Sequence, residues 1–266
     1  MKKTSKLFTT GLLSIALALF SLSAQAQETE YGLFDHLGIG VSIGTDGLGF
    51  DLAAPITDWA AVRTGMSFNS FIKYTEKDVE IKNPDKTVVD KIDIVRKFNS
   101  DDFKLLFDLY PFKSSSFHLT AGAFIGSKKA YRMYTTEPIV KHQEDYGSAY
   151  IELGGHKFSS RKDGKAEANV EVESFRPYLG IGFGRAVPKK SRVTVTCDFG
   201  VKFWGKPAVY GWERTPGTTM NDPDWVRYTK LEKEDIDNER GRDFYEDIEK
   251  ISVYPVINIR LCGRIF

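Results

Sequence analysis

Apolar and polar residues alternate with a period of two along much of the chain. In the clearest case, Val193 to Phe203, every odd-numbered position is apolar, and the positions between them are polar or glycine. Such alternation predicts a β-strand with one apolar face and one polar face. Eight segments show it, near residues 37–44, 48–53, 60–69, 103–110, 117–128, 175–184, 192–204 and 253–265.

The connections between these strands alternate in length. Those after the second, fourth and sixth strands are short, whereas those after the third, fifth and seventh cover roughly 70–101, 129–173 and 207–250. Only the hairpin Gly44–Gly47 is tight on the long side. Short turns at one rim and long loops at the other are typical of an outer-membrane barrel, and polar faces rich in glycine suit a narrow lumen. We therefore predict an all-β fold, an eight-stranded antiparallel up-and-down transmembrane β-barrel with long extracellular loops, over a soluble sandwich.

The N-terminus has the pattern of a cleaved export signal. Lys2, Lys3 and Lys6 precede an apolar core, and Ala24-Gln25-Ala26 has small residues at the two positions that a signal peptidase reads. We expect residues 1–26 to be a signal peptide and 27–266 to be the outer-membrane barrel. This predicts export through the general secretory pathway and location in the outer membrane.

Composition excludes several other classes of protein. The 37 basic and 36 acidic residues nearly cancel, which argues against a nucleic-acid partner. Past the N-terminus, no apolar run approaches the roughly 18 residues of a spanning helix. Two cysteines are too few for a disulfide scaffold, and no Cys/His cluster has zinc spacing. We predict no metal and no cofactor.

The strand segments together resemble a family of barrel proteins. Their order and spacing are similar to those of small, largely uncharacterised, porin-like outer-membrane β-barrel proteins of Gram-negative bacteria. The resemblance touches every predicted strand and fades in the long loops, and it implies no catalytic residues. The stretches that carry it are LGIGVSIGTDGLGFDLAAPITDWAAVRTGMSF (37–68), KLLFDLYPF (104–112), PYLGIGFG (177–184), VTCDFGVKFWGKP (195–207) and YPVINIRLCGRIF (254–266).

Charged residues collect on the faces that should point into the barrel. An eight-stranded barrel has an interior that side chains about fill, so these charges should pair with each other as a structural plug. An anion-preferring pore is the alternative, because three aspartates face a larger number of basic or histidine positions. The predicted lumen charge network is Asp51, Arg63, Lys104, Asp108, Lys128, Arg176, Asp198, Lys202, Arg260 and Arg264, with His118 on the same face.

The sequence offers no convincing catalytic site. A hydrolase would need a histidine base beside a nucleophile, and His36, His118, His142 and His156 show no such spacing. We predict that the protein is not an enzyme. Long charged loops on a rigid barrel are instead the usual place for binding, so an extracellular ligand is possible. Residues 149–158 are predicted to form a hairpin, and 225–250 either a solvated segment or a helical lid.

The two cysteines and the C-terminus give further predictions. Cys197 shares parity with lipid-facing residues and Cys262 with luminal ones, so both thiols should be free. Ile265 and Phe266 are predicted to be the assembly signal for the outer-membrane machinery, which with the lipid bilayer is the expected partner. The predicted function is a structural or surface-interaction barrel with a largely plugged lumen; the alternative is a narrow porin or diffusion channel for small solutes.

Overall fold

The computed structural model describes residues 32–69, 73–82, 88–99, 101–112, 115–139, 150–153, 156–219, 221–236 and 239–265. The described elements are sixteen strands, one short 3-10 helix and one α-helix. In chain order they are β1 (Gly38–Gly44), β2 (Gly47–Thr57), β3 (Ala60–Phe68), β4 (Lys73–Lys82), β5 (Val88–Phe98), β6 (Asp102–Leu109), β7 (Phe117–Gly126), β8 (Lys129–Thr135), β9 (Tyr150–Leu153), β10 (His156–Ser159), β11 (Glu167–Glu171), β12 (Phe175–Phe183), β13 (Val193–Phe203), β14 (Ala208–Arg214), β15 (Val226–Lys230), the 3-10 helix Lys233–Asp235, α1 (Glu239–Lys250) and β16 (Val253–Arg264).

Eight of these strands close into an antiparallel barrel. Its order is β1-β16-β13-β12-β7-β6-β3-β2, and β1 pairs with both β2 and β16, so no edge is left open. The closing register joins Gly38 to Arg264 and Gly44 to Asn258. These are the eight strands that the alternation predicted, and the predicted fold class is confirmed.

The alternation of residue types becomes an alternation of faces. Apolar side chains point outward and are exposed: on β13 alone, Val195 and Phe199 are 40% and 45% exposed. Their polar neighbours Thr196 and Asp198 point inward and are buried. A barrel with an apolar exterior and a polar interior reverses the arrangement of a water-soluble domain.

The sequence predicted long loops for the connections after the third, fifth and seventh barrel strands. In the structure these connections form further β-strands. Six strands in the order β15-β14-β11-β8-β5-β4 form a second sheet. This order follows that of the barrel strands next to them in sequence, because β4 follows β3, β5 precedes β6, and β8, β11 and β14 adjoin β7, β12 and β13. Backbone bonds such as Val172 N–H to Lys128 O (2.8 Å) and Glu173 N–H to Trp204 O (2.9 Å) continue the pairing between the two sheets. The second sheet, called here the wall extension, therefore prolongs one side of the barrel wall.

The wall extension has its own apolar core. Met133, Ala168 and Val209 on the sheet pack in one buried cluster with Ile236 and with Tyr245 of α1. The predicted hairpin is present as β9 and β10, and its Ile151 and Phe158 complete the same cluster. The sequence of 225–250 offered a solvated segment or a helical lid, and the structure has the helix, packed over the extension.

The helix content is small. None of the helices in the described ranges is long and apolar enough to cross a membrane.

Candidate functional site: the barrel lumen

At the end of the barrel with the short turns, here the turn end, one arginine joins two aspartates. Arg63 donates to Asp198 Oδ2 at 2.9 Å and to Asp108 Oδ1 at 2.8 Å. Thr120 Oγ1 also donates to Asp108 Oδ1 (2.8 Å), and His118 Nε2 lies 2.9 Å from Asp198 Oδ1. Strands β3, β6, β7 and β13 supply these side chains. Their ionised groups are buried and mutually paired.

A second cluster lies across the lumen. Arg260 Nε donates to Asp51 Oδ2 at 2.9 Å, and its Nη2 makes an ion pair with the other oxygen of Asp51. Lys104 Nζ lies 3.4 Å from Asp51 Oδ2. Arg260 also contacts Cys262 Sγ and donates to the carbonyl oxygen of Ala186. A bidentate arginine–carboxylate pair of this kind fixes geometry as well as charge.

A third cluster closes the opposite end of the barrel, next to the wall extension. Asp102 pairs with Arg176 and accepts from Lys202 Nζ at 2.9 Å. Arg176 Nε also donates to the carbonyl oxygen of Glu173 at 2.8 Å. Lys202 Nζ lies 4.5 Å from the centroid of the Phe124 ring, a cation–π contact. The side chains of all three charged residues are completely buried.

Apolar layers separate and cap these clusters. Leu106, Phe124, Tyr178 and Val256 form a buried cluster within the barrel. A second apolar cluster closes the turn end and contains Ala53, Ala61, Tyr110, Ala186 and Val187. At the junction with the extension, Trp204 stacks on Tyr254 with ring centroids 4.7 Å apart. Side chains therefore fill the lumen along its length.

The space left inside is very small. A cavity of about 10 Å³ lies among Ser42, Tyr178, Asn258 and the charged side chains. A single water molecule needs roughly 10–15 Å³ measured in this way. In this conformation the described lumen has no room for a solute.

Two residues of the predicted network lie elsewhere. Lys128 is exposed in the segment between β7 and β8, because the strand ends at Gly126 and the strict alternation stops there. Arg264 lies at the rim of the turn end, where its Nη1 donates to the carbonyl oxygens of Pro188 and Lys189. Lys128 therefore does not line the lumen, whereas Arg264 keeps the inward parity of Arg260 and lies at the rim.

Two buried acids were missed by the sequence analysis. Asp102 is the first residue of β6, and it has the same parity as Lys104, which would have indicated its inward direction. Asp46 lies in the tight hairpin after β1, where alternation gives no signal. With both included, the five buried acids described within the barrel equal the five buried lysines and arginines in number: Asp46, Asp51, Asp102, Asp108 and Asp198 against Arg63, Lys104, Arg176, Lys202 and Arg260. The excess of positive charge that supported an anion-preferring pore is absent from this set.

The remaining candidates are distributed over the molecule. His36 pairs with Asp35 at 2.8 Å and His156 with Glu213 at 3.1 Å, while His142 lies outside the described residues. Ile265 points outward and is exposed, whereas Phe266 and the predicted signal peptide 1–26 lie outside the described residues. Within the described ranges no group of three or more His, Cys, Asp or Glu side chains could hold a metal ion.

The cysteines are unpaired, as predicted. Cys197 lies opposite Ile259, and Cys262 lies opposite Thr194. Cys262 is completely buried inside the barrel, and Cys197 is partly exposed on the outer surface. Side chains on opposite faces of a sheet point apart, so no bridge can form.

Solved structures resemble this chain at low sequence identity. CarO2 of Acinetobacter baumannii is 16% identical with a TM-score of 0.46, over 86% of this chain and 98% of that chain. CarO of Acinetobacter baumannii is 16% identical with a TM-score of 0.44, over 85% of this chain and 96% of that chain. A major outer membrane protein from Thermus thermophilus is 13% identical with a TM-score of 0.34, over 86% and 98% of the two chains. No protein-family model and no curated protein matches the sequence, so the family resemblance stays a prediction.

Proposed function

We propose that the chain is an outer-membrane β-barrel protein whose lumen is plugged and whose role is structural or at the cell surface. The closed barrel supports the membrane part of this proposal, because lipid offers no partners for an open sheet edge. The exposed apolar side chains on the outside of all eight strands are those that a lipid environment would accept. Short turns then face the periplasm, and the wall extension faces the exterior.

The observation that carries the plugged lumen is its filling by paired charges and apolar layers. Arg63, Arg176 and Arg260 are each at most 4% exposed, and each contacts at least one carboxylate. Removing either partner of an ion pair that is buried in this way would destabilise the fold, because the remaining charge would be buried without a counter-ion. Such a barrel serves as an anchor for the wall extension.

A narrow diffusion channel is the second candidate. One feature favours a channel: ionisable side chains of the barrel strands line the interior. These side chains could exchange ion-pair partners and so admit a small ion. A channel of this kind would need Phe124 and Tyr178 to move, because their rings lie across the lumen with centroids 5.4 Å apart.

Single-channel recording in planar bilayers tests the proposal. We expect no steady openings from the wild-type barrel and measurable conductance from the triple variant L106A/F124A/Y178A, which truncates three of the four side chains of the inner apolar layer. The matched control L105A/I125A/L179A truncates three outward side chains on the same strands and should stay closed. Steady openings from the wild-type protein would favour the diffusion channel.

A further inference from the structure

A row of basic side chains crosses the whole wall extension. The strand register places Lys73 opposite Lys97, Lys97 opposite Arg132 and Arg132 opposite Asn169. Asn169 in turn lies opposite Tyr210, which lies opposite Lys230. Because residues directly opposite in a sheet share a face, these six side chains form one line over six strands. The row contains four bases and no acid. Lys230 Nζ also pairs with Glu232 at 3.1 Å, and Asn169 in the middle of the row is buried.

This row lies on the outer face of the extension. The residues next in sequence, Met133 and Ala168, point to the face that packs on α1, and neighbouring positions on a strand point to opposite faces. The parity continues into the barrel, where Val172 packs at the barrel junction and Arg176 lies in the lumen. The row therefore faces away from the lumen axis, on the same side of the wall as the apolar belt.

Aromatic rings and a fixed carboxylate accompany the row. Tyr210 and Tyr228 stack at 5.7 Å, and Trp212 packs on Tyr228 at the same centroid distance. Glu167 binds three cations, Lys129 at 2.9 Å, Arg161 at 3.2 Å and Arg132 at 3.3 Å. These three side chains are still 34–40% exposed. Of these three cations, Arg132 belongs to the row, and Glu167 fixes its position while 36% of the Arg132 side chain stays exposed.

The height of the row above the barrel indicates what it could meet. Arg132 on β8 is seven residues beyond the outward, exposed Ile125 on β7, which is at most about 23 Å of chain at about 3.3 Å per residue. A tilt of about 40° reduces this length to a height of roughly 17 Å. The head-group layer of an ordinary bilayer is only about 5–8 Å thick on each side. A lipid head that reaches this row must be larger than that of a phospholipid.

We infer that this basic and aromatic outer face binds the phosphorylated sugar head of a glycolipid in the outer leaflet. Arginine and lysine bind phosphate oxygens, and aromatic rings offer an apolar surface with a polar edge against a sugar. Rows of basic side chains next to a membrane attract anionic lipid heads in the same way. The inference rests on the proposed membrane location.

Native mass spectrometry of the full chain in detergent micelles tests it, with a diphosphorylated diglucosamine glycolipid as the probe. The variant K73Q/K97Q/K230Q removes three charges from the row and leaves the cluster around Glu167 intact. The control K157Q/K233Q/K250Q removes three lysines of the hairpin, the 3-10 segment and α1. We expect at least about tenfold weaker binding for the first variant and an unchanged affinity for the control.

Two further measurements test whether the phosphates of the glycolipid are needed for binding, and whether the ligand is the lipid or a free sugar phosphate. The same glycolipid without its phosphates should bind weakly, and glucosamine 1-phosphate in solution should not displace the lipid. Equal affinity of the wild type and the row variant, or of the two lipids, would overturn the inference, as would tight binding of the soluble sugar phosphate. Heat-modifiable migration on a gel, measured on every variant after insertion into vesicles, reports the barrel separately. A barrel that inserts but does not bind the glycolipid would refute only the present inference.

Discussion

At the scale of single residues, Arg63 is the side chain that joins two buried carboxylates in the cluster at the turn end. It pairs with both Asp108 and Asp198, and all three are at most 5% exposed. Removing it leaves two carboxylates buried without their cation.

We predict that Arg63→Met lowers the free energy of unfolding by about 3–5 kcal/mol, because breaking a buried ion pair from one side strands the other charge. Urea titration of the barrel in detergent measures this. Lys250→Met, which removes a fully exposed ion pair with Asp247, should change nothing measurable. Adding Asp108→Asn and Asp198→Asn to the Arg63 variant should recover part of the loss; no recovery would contradict the electrostatic explanation.

The second residue-scale prediction concerns Glu167 in the wall extension. Burial by itself would raise the pKa of Glu167, but hydrogen bonds from Lys129 and Asn169 and the charges of Lys129 and Arg132 lower it to about 2 from the ordinary value of 4.5. A carboxylate whose pKa is lowered by folding stabilises the folded state above its unfolded pKa, and this contribution is lost as the pH falls through the folded value.

The wild-type extension should therefore be more stable than Glu167→Gln at pH 6, and the difference should shrink between about pH 4.5 and pH 2. Urea titrations followed by tryptophan fluorescence at several pH values give the two curves. A difference that stays constant over that range would mean that Glu167 contributes only by packing.

At the scale of the element, the position of an outward residue along a barrel strand determines how much a charge placed there would destabilise the protein. Phe199 lies in the middle of β13 on its outward face, between Ile181 and Ile257 on the neighbouring strands. Val253 also points outward but lies at the extension end of β16, opposite Phe203.

Arg at position 199 should cost about 2–4 kcal/mol, because it would lie near mid-membrane, whereas Arg at position 253 near the interface should cost about 0–1 kcal/mol. Unfolding titrations in lipid vesicles compare the two variants. Equal costs would show that the apolar belt is not centred where the barrel strands place it.

Inside the same strand pair, glycine makes room for an aromatic ring. Gly180 and Gly200 lie opposite each other on β12 and β13, and a Cβ on either would come within 2.5 Å of the Tyr178 hydroxyl oxygen. The Tyr178 ring can therefore lie against the strand pair and help to fill the lumen. This explains part of the glycine content of the inward faces.

At the scale of the whole molecule, the barrel and the wall extension have separate cores. The extension core contains Ile236 and Tyr245, whereas the barrel interior is filled by the charge clusters and its own apolar layers. The junction is a third cluster around Ala130, Val172 and Trp204. The extension can therefore lose stability without opening the barrel.

Ile236→Ala should cost about 2–5 kcal/mol in the extension, because it leaves a cavity at a position that is 1% exposed. Trypsin should then cleave within the extension while the barrel keeps its heat-modifiable migration. Ile251→Ala, at a position that is 49% exposed, is the control and should resist trypsin like the wild type. Loss of the folded barrel band in the first variant would show that the two parts unfold together.

The eight barrel strands, and the direction of each side chain on them, follow from the amino-acid sequence alone. Inward and outward positions alternate with a period of two, so a pattern such as Val195-Thr196-Cys197-Asp198 specifies both the strand and its faces locally. Free thiols at Cys197 and Cys262 followed from the same parity.

Which charges meet, and what the long connections become, depends on the assembled fold. Arg63 and Asp198 are 135 residues apart, and their contact depends on closure of the barrel, which no local pattern reports. Two of the extension strands, β11 and β15, have only five residues each. The polar outer face and the interrupted apolar face of the extension strands resemble a solvated segment until the strands pair with one another. The row from Lys73 to Lys230 exists because six such segments align in register, and register is a property of the assembled sheet.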